Sequence, residues 1–188
     1  MIRLGILGST RGTNLTAIVD AIKQHQLDAS IEIVISNKAD AKILEYAASQ
    51  HLAAQFVDPA NLSRDAYDQQ ITALLQKHHI DLIVLIGYMR ILSADFVKQW
   101  QHKIINVHPS LLPAFAGLID LDVHRAVLAA AVKETGCTVH YVTAEVDAGP
   151  IILQRTCAVL PQDTPEILKN RVQGLEGDAL VAAVKSIM

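Results

Sequence analysis

The sequence predicts an α/β domain: an open, mostly parallel, twisted sheet with helices on both faces and a late antiparallel strand addition. Three observations carry this. Short apolar runs alternate with segments of helical spacing through the first half of the chain. The run Leu82–Ile86 is wholly apolar, as a strand covered on both faces must be. After Pro109 the rhythm breaks, and two strand-like runs flank Asp147-Ala148-Gly149-Pro150, a turn signal.

The elements follow in order. Ile2–Leu7 reads as a buried strand ending at Gly8. Leu15, Ile18, Val19 and Ile22 recur at helical spacing. Ile31–Ile35 is a β-branched strand, Ala41–Ala48 a helix, and Ala53–Val57 a short third strand. Ser63 suits an N-cap for a helix through Leu75, with Asp65 in its first turn, where a negative charge is favoured. Leu82–Ile86 follows, Ser93 caps a short helix, and Lys103–Val107 is the fifth strand. Pro113 and Gly117 mark a loop before a helix expected to run to Val132. Thr138–Thr143 and Ile151–Val159 are the late strands, and Thr164-Pro165 opens a final helix with a cap and a proline at its first position.

Composition bounds the function. The 188 residues are 51% hydrophobic and 19% charged, which fits a single domain, 1–188, with a core of its own. The net charge of −3 argues against nucleic acid as the main partner, though not against a local anion site. No apolar run approaches the ~18 residues of a membrane span, so no membrane partner is expected. The amino-terminal segment reads as a first strand and not as an export signal. Cys137 and Cys157 read as free thiols in a reducing, cytoplasmic setting.

Open sheets of this kind bind ligands at the carboxyl ends of their strands, which directs attention to three loops. Gly8-Ser9-Thr10-Arg11-Gly12-Thr13-Asn14 joins the first strand to the first helix. Its backbone N–H groups at a helix start suit a phosphate, yet an ordinary tight turn would read the same way. Its glycines do not match a dinucleotide fingerprint, and no lysine follows as a Walker A loop requires. Asn106 and His108 alternate at the end of the fifth strand, so both side chains face one side. The imidazole can move protons near neutrality and the amide can donate to an oxyanion; a histidine satisfied in a packed turn is the plainer alternative. Asp147 is a structural turn residue unless its turn folds over His108. Cys137 and His140 have a C-x-x-H spacing but no second ligand pair and would face opposite sides of a strand, so no metal is expected. His78-His79 reads as a solvated helix end, and Met89-Arg90-Ile91-Leu92 as either core or the lining for a flat ring.

Asn106-Val107-His108-Pro109-Ser110-Leu111-Leu112-Pro113 resembles the signature of the folate-dependent formyltransferases. Gly12-Thr13-Asn14-Leu15, Gly87-Tyr88-Met89-Arg90-Ile91-Leu92 and Asp147-Ala148-Gly149-Pro150-Ile151-Ile152 look like the phosphoribosylglycinamide formyltransferase branch. Ser36-Asn37-Lys38-Ala39-Asp40 and Arg64-Asp65-Ala66-Tyr67-Asp68 also fit, and the likeness runs in order over essentially the whole chain.

The resemblance implies a Rossmann-like formyltransferase fold with a nucleotide-binding half, 1–108, and a folate-binding and catalytic-loop half, 109–188. It implies Asn106, His108 and Asp147 as the catalytic set. It assigns Gly12, Thr13 and Asn14 to the nucleotide phosphate, and Arg64, Gly87, Pro109 and Glu176 to the rest of the nucleotide. Met89, Arg90, Ile91, Leu92, Ala144, Glu145 and Val146 would hold the folate. The implied reaction moves a formyl group from 10-formyltetrahydrofolate, as cosubstrate, to the amine of N1-(5-phospho-D-ribosyl)glycinamide in purine synthesis. No metal is implied, and monomer and homodimer both stay open. Formyltetrahydrofolate deformylase is the alternative within the superfamily, although that branch tends to carry His where this chain has Pro109. A non-catalytic nucleotide-binding protein on the same sheet is the alternative outside it. The pattern departs from the family in Thr13 for a commoner Ser, Gly177 where His often follows the glutamate, and a 117–124 loop about three residues longer that keeps only His124 of a His-rich stretch.

Overall fold

The computed structural model describes residues 1–188. The strands are β1 (Ile2–Gly8), β2 (Ala29–Ser36), β3 (Ala54–Phe56), β4 (Leu82–Ile86), β5 (Ile104–His108), β6 (Glu134–Tyr141) and β7 (Ile151–Ala158). The helices are α1 (Thr13–Lys23), α2 (Lys42–Ser49), α3 (Arg64–Lys77), α4 (Ala94–Gln99), α5 (Leu121–Ala129) and α6 (Pro165–Ile187). They build one sheet of seven strands in the order β3-β2-β1-β4-β5-β6-β7. The first five strands pair in parallel, and β6 and β7 add antiparallel.

Helices cover both faces. On one, Leu15, Ile18 and Val19 of α1 meet Leu168, Val172, Leu180 and Val184 of α6 over Leu4, Ile6 and Val84. On the other, Tyr67, Ile71 and Leu75 of α3 and Phe96 and Val97 of α4 cover Leu7, Ile33, Ile83 and Leu85. Thus β1 and β4 send alternate side chains into two cores, which is why β1 from Leu4 onward and the whole of β4 are apolar. The capping reading holds at three helices. Ser63, Ser93 and Thr164 accept from Ala66, Phe96 and Ile167 N–H at 3.1, 3.2 and 3.3 Å.

Boundaries differ where pairing, not side-chain pattern, sets them. β6 starts at Glu134, ahead of the expected Thr138, because Glu134, Thr135 and Gly136 pair with Ala158, Cys157 and Thr156. α5 stops at Ala129, short of the expected Val132, and Ala131 turns into the left-handed region at φ 50.

The strand order reverses between β1 and β4, since β1 leads to β2 on one side and β4 leads to β5 on the other. A crevice opens outside the carboxyl ends at such a point. Ser9 ties the loops there together. Its N–H donates to the Gly87 carbonyl at 3.1 Å, its Oγ donates to Asn37 at 2.5 Å, and the same Oγ accepts from Met89 N–H at 2.9 Å.

Candidate active site

Antiparallel pairing of β5 with β6 sets His140 opposite Asn106 and Thr138 opposite His108. Cross-strand partners share a face, so four polar side chains line one patch. His108, Thr138 and His140 are buried there. The turn after β6 brings in Asp147. Its Oδ2 lies 3.2 Å from His108 Nδ1, and its Oδ1 lies 3.6 Å from His140 Nε2. The carboxylate is 11% exposed, so this ion pair is largely screened from solvent.

His108 has an acceptor at each ring nitrogen: the carboxylate at Nδ1, and the Phe115 carbonyl 3.1 Å from Nε2. A protonated ring donates to both. Asp147 Oδ2 also accepts from Gly117 N–H at 2.9 Å, so the loop after β5 closes over the pair. That loop is anchored by Thr138, whose Oγ1 donates to the Ser110 carbonyl at 2.7 Å and accepts from Leu112 N–H at 3.0 Å.

Two local features aim the Asp147 carboxylate. Asp147 is left-handed at φ 53, a region that Asp tolerates better than most residues. Two residues on, a Cβ at Gly149 would lie 1.7 Å from the Tyr141 carbonyl oxygen, so only glycine lets the turn pack this close to β6.

Burial lowers the basicity of His140; its bond to the Tyr141 carbonyl and the nearby Asp147 oppose this in part. Cys137 points into the opposite core, where burial pushes its thiol up to about 12. No group of three or more His, Cys, Asp or Glu is arranged to hold a metal ion. No helix is long and apolar enough to cross a membrane.

The Gly8–Asn14 loop ends with Gly12 as the α1 N-cap, left-handed at φ 70 and without a side-chain cap. Uncapped first-turn N–H groups and the helix dipole suit an anion. A cavity of about 510 Å³ opens here, lined by Arg11, Gly12, Thr13, Thr16, Lys42 and Tyr46 among others. Asn14 is buried, and its amide donates to Glu176 Oε2 at 2.7 Å, joining α1 to α6. Burial raises the Glu176 carboxyl above its ordinary range, with Asn14 and Lys169 pulling the other way. The structure therefore places the Asn14 side chain on Glu176, while Arg11, Gly12 and Thr13 of the loop line the cavity.

On the other flank of the crevice, Met89, Ile91 and Val146 are about half exposed. Leu92 is half-buried, Gly87, Ala144 and Glu145 are exposed, and Pro109 is half-buried beside His108. Helix α3 braces this segment from below. The Arg90 guanidinium sits 4.4 Å from the Tyr67 ring centre, and Asp68 accepts from Ser93 N–H at 2.6 Å. Arg64 begins the same helix, exposed to solvent.

Reading from sequence missed His140 and Thr138. The signal was present: Thr138 and His140 alternate as Asn106 and His108 do, and the C-x-x-H spacing drew attention to Cys137 instead.

The family described as formyl transferase matches residues 2–184. The chain is 41% identical over 187 residues to the trifunctional purine biosynthetic protein adenosine-3 of Gallus gallus. That match covers 99% of this chain and 18% of the relative, so the chain spans under a fifth of that protein. It is 35% identical to the phosphoribosylglycinamide formyltransferase of Bacillus subtilis (strain 168), covering 100% of this chain and 95% of the relative. In structure it is similar to glycinamide ribonucleotide transformylase 1 from Symbiobacterium toebii, with TM-score 0.93 and 43% identity over 98% of this chain and 86% of that one.

Proposed function

This chain belongs to the formyl transferase family, and on that premise we propose that it transfers a formyl group from 10-formyltetrahydrofolate to the primary amine of N1-(5-phospho-D-ribosyl)glycinamide, a step in purine synthesis. The observation that carries the proposal is the convergence of Asp147 on His108, 3.2 Å apart, on the face that Asn106 shares. The full-length likeness to a bacterial phosphoribosylglycinamide formyltransferase supports the choice of acceptor.

The amine nitrogen attacks the formyl carbon, and the carbonyl oxygen becomes an oxyanion. Asn106 Nδ2–H and protonated His108 donate to it; one such donor is worth about 3–4 kcal/mol. The formyl oxygen takes the place of the Phe115 carbonyl at His108 Nε2. Asp147 balances the imidazolium charge and holds the ring in register. The amine gives up a proton through a water at the carboxylate, N10 of the folate accepts one, and the carbon–N10 bond breaks. The products are a formamide and tetrahydrofolate. The atoms balance without an acyl-enzyme or a metal.

Gly12, Thr13 and Asn14 hold the phosphate through the α1 N-terminus, with Arg64, Gly87, Pro109 and Glu176 along the rest of the nucleotide. Met89, Arg90, Ile91, Leu92, Ala144, Glu145 and Val146 hold the pterin. The nucleotide thus rests mainly on the 1–108 half, while the folate is shared between Met89, Arg90, Ile91 and Leu92 of that half and Ala144, Glu145 and Val146 of 109–188. Both cysteines are free thiols, in keeping with a cytoplasmic enzyme.

The test is formyl transfer to this amine, with water and tRNA as control acceptors. Release of tetrahydrofolate that requires the glycinamide nucleotide is expected. Equal release with water alone makes the chain a deformylase and overturns the proposal.

A further inference from the structure

His140 is buried next to the proposed reacting centre, and no step above uses it. Its Nδ1 lies 3.0 Å from the Tyr141 carbonyl, which can only accept. Nδ1 therefore carries the proton, and in the neutral ring Nε2 is left with a lone pair. That lone pair lies 3.3 Å from Asn106 Nδ2. Only one orientation of the amide satisfies it, with NH₂ toward the ring.

We propose that His140 is a positioning residue that fixes the side-chain amide of Asn106, taking one N–H and leaving the other for the oxyanion. The inference rests on the reaction proposed above. A half-turn of the amide would set Oδ1 against the His140 lone pair. It would also point an oxygen, not a donor, at the developing negative charge. Asp147 Oδ1, 3.6 Å from Nε2, is an acceptor and cannot supply the missing proton. Burial in this patch lowers the basicity of the ring, against the Tyr141 carbonyl and Asp147, and so favours Nε2 as an acceptor.

The strand geometry is consistent with a dedicated placement. Asn106 and His140 are direct register partners across β5 and β6. The pairing of β6 with β7 slips at this point. Val139 faces Leu153 and His140 faces Ile151, so Ile152 is an extra residue. Bulges of this kind re-aim a side chain beside a site.

The test pairs His140→Leu, which removes the acceptor, with His140→Gln, which restores one. His140→Leu should lower kcat by about 10–100-fold with both KM values little changed, a part of what loss of one oxyanion donor costs. His140→Gln should recover most of it. In an Asn106→Ala background, His140→Leu should cost less than about threefold, since the two act as one unit. Losses that multiply, or a Gln variant no better than Leu, overturn the proposal. A second readout needs no turnover: ¹⁵N spectra of the wild-type protein should show His140 protonated at Nδ1 and bare at Nε2. A proton on Nε2 overturns the proposal even if the Leu variant does not fold. A wild-type protein inactive toward the amine overturns the reaction reading alone, because the spectra still decide the tautomer.

Discussion

Asp147→Asn isolates the contribution of one negative charge. Asparagine keeps the volume, tolerates the left-handed backbone at φ 53, and keeps an oxygen for Gly117 N–H. Alanine would mix charge loss with backbone strain. For unit charges 3.2 Å apart, Coulomb's law at an effective dielectric of about 20 gives about 5 kcal/mol between carboxylate and imidazolium. Some of that returns as the remaining amide oxygen and water reorganise around His108. A loss of about 3–4 kcal/mol should therefore reach the transition state, which is about 10²–10³ in kcat. Because the charge acts after the amine has bound, both KM values should stay within a few-fold. Steady-state formyl transfer, with circular dichroism to check the fold, measures this. A folded variant with kcat within threefold of wild type would refute the argument that the carboxylate supports a charged imidazole.

Three further outcomes follow from buried or paired charges. Burial raises the Glu176 carboxyl, so the folded state binds that proton more tightly than the unfolded chain does. Stability from this group is present in acid and lost as pH rises through the folded value; Glu176→Gln should melt higher than wild type at pH 7.5 and show no such gain at pH 4, while weakening nucleotide binding. His124 is lowered chiefly by burial, then by Lys169, and its Nδ1 has no partner. The folded state resists its protonation, so stability should fall below the ordinary 6.5 by up to about 1.4 kcal/mol per pH unit, and His124→Leu should flatten that fall in urea titrations between pH 5 and 7.5. Arg3 binds Asp81 through its backbone N–H, Nε and Nη2 at 3.0, 2.9 and 2.9 Å, which lowers the carboxyl to about 2. Both side chains are over 40% exposed, so Asp81→Asn should cost no more than about 1 kcal/mol at pH 7, and the difference should vanish as pH falls from the ordinary 3.8 through about 2.

Local physics was legible in the chain and non-local pairing was not. Ser63, Ser93 and Thr164 announce helix starts because a cap acts within three residues of itself. Leu82–Ile86 announces a central strand because both its faces meet helices. The start of β6 at Glu134 was hidden, since backbone bonds to β7 carry no side-chain signature. Asn106 and His108 stand out together because alternation on one strand is local. Their meeting with His140 depends on antiparallel register, and with Asp147 on how a turn folds back, so neither follows from spacing. The Asp147 assignment came from resemblance to a family, and the distance to His108 supplies its physical basis.

The contact of Gly149 with the Tyr141 carbonyl has a consequence for altering this site. Where backbone lies on backbone, there is no side chain to trim and no rotamer to retune. A saturation library at position 149 should return glycine alone among active clones. Moving the Asp147 carboxylate, two residues before Gly149, would then demand a rebuilt hairpin and not a single exchange.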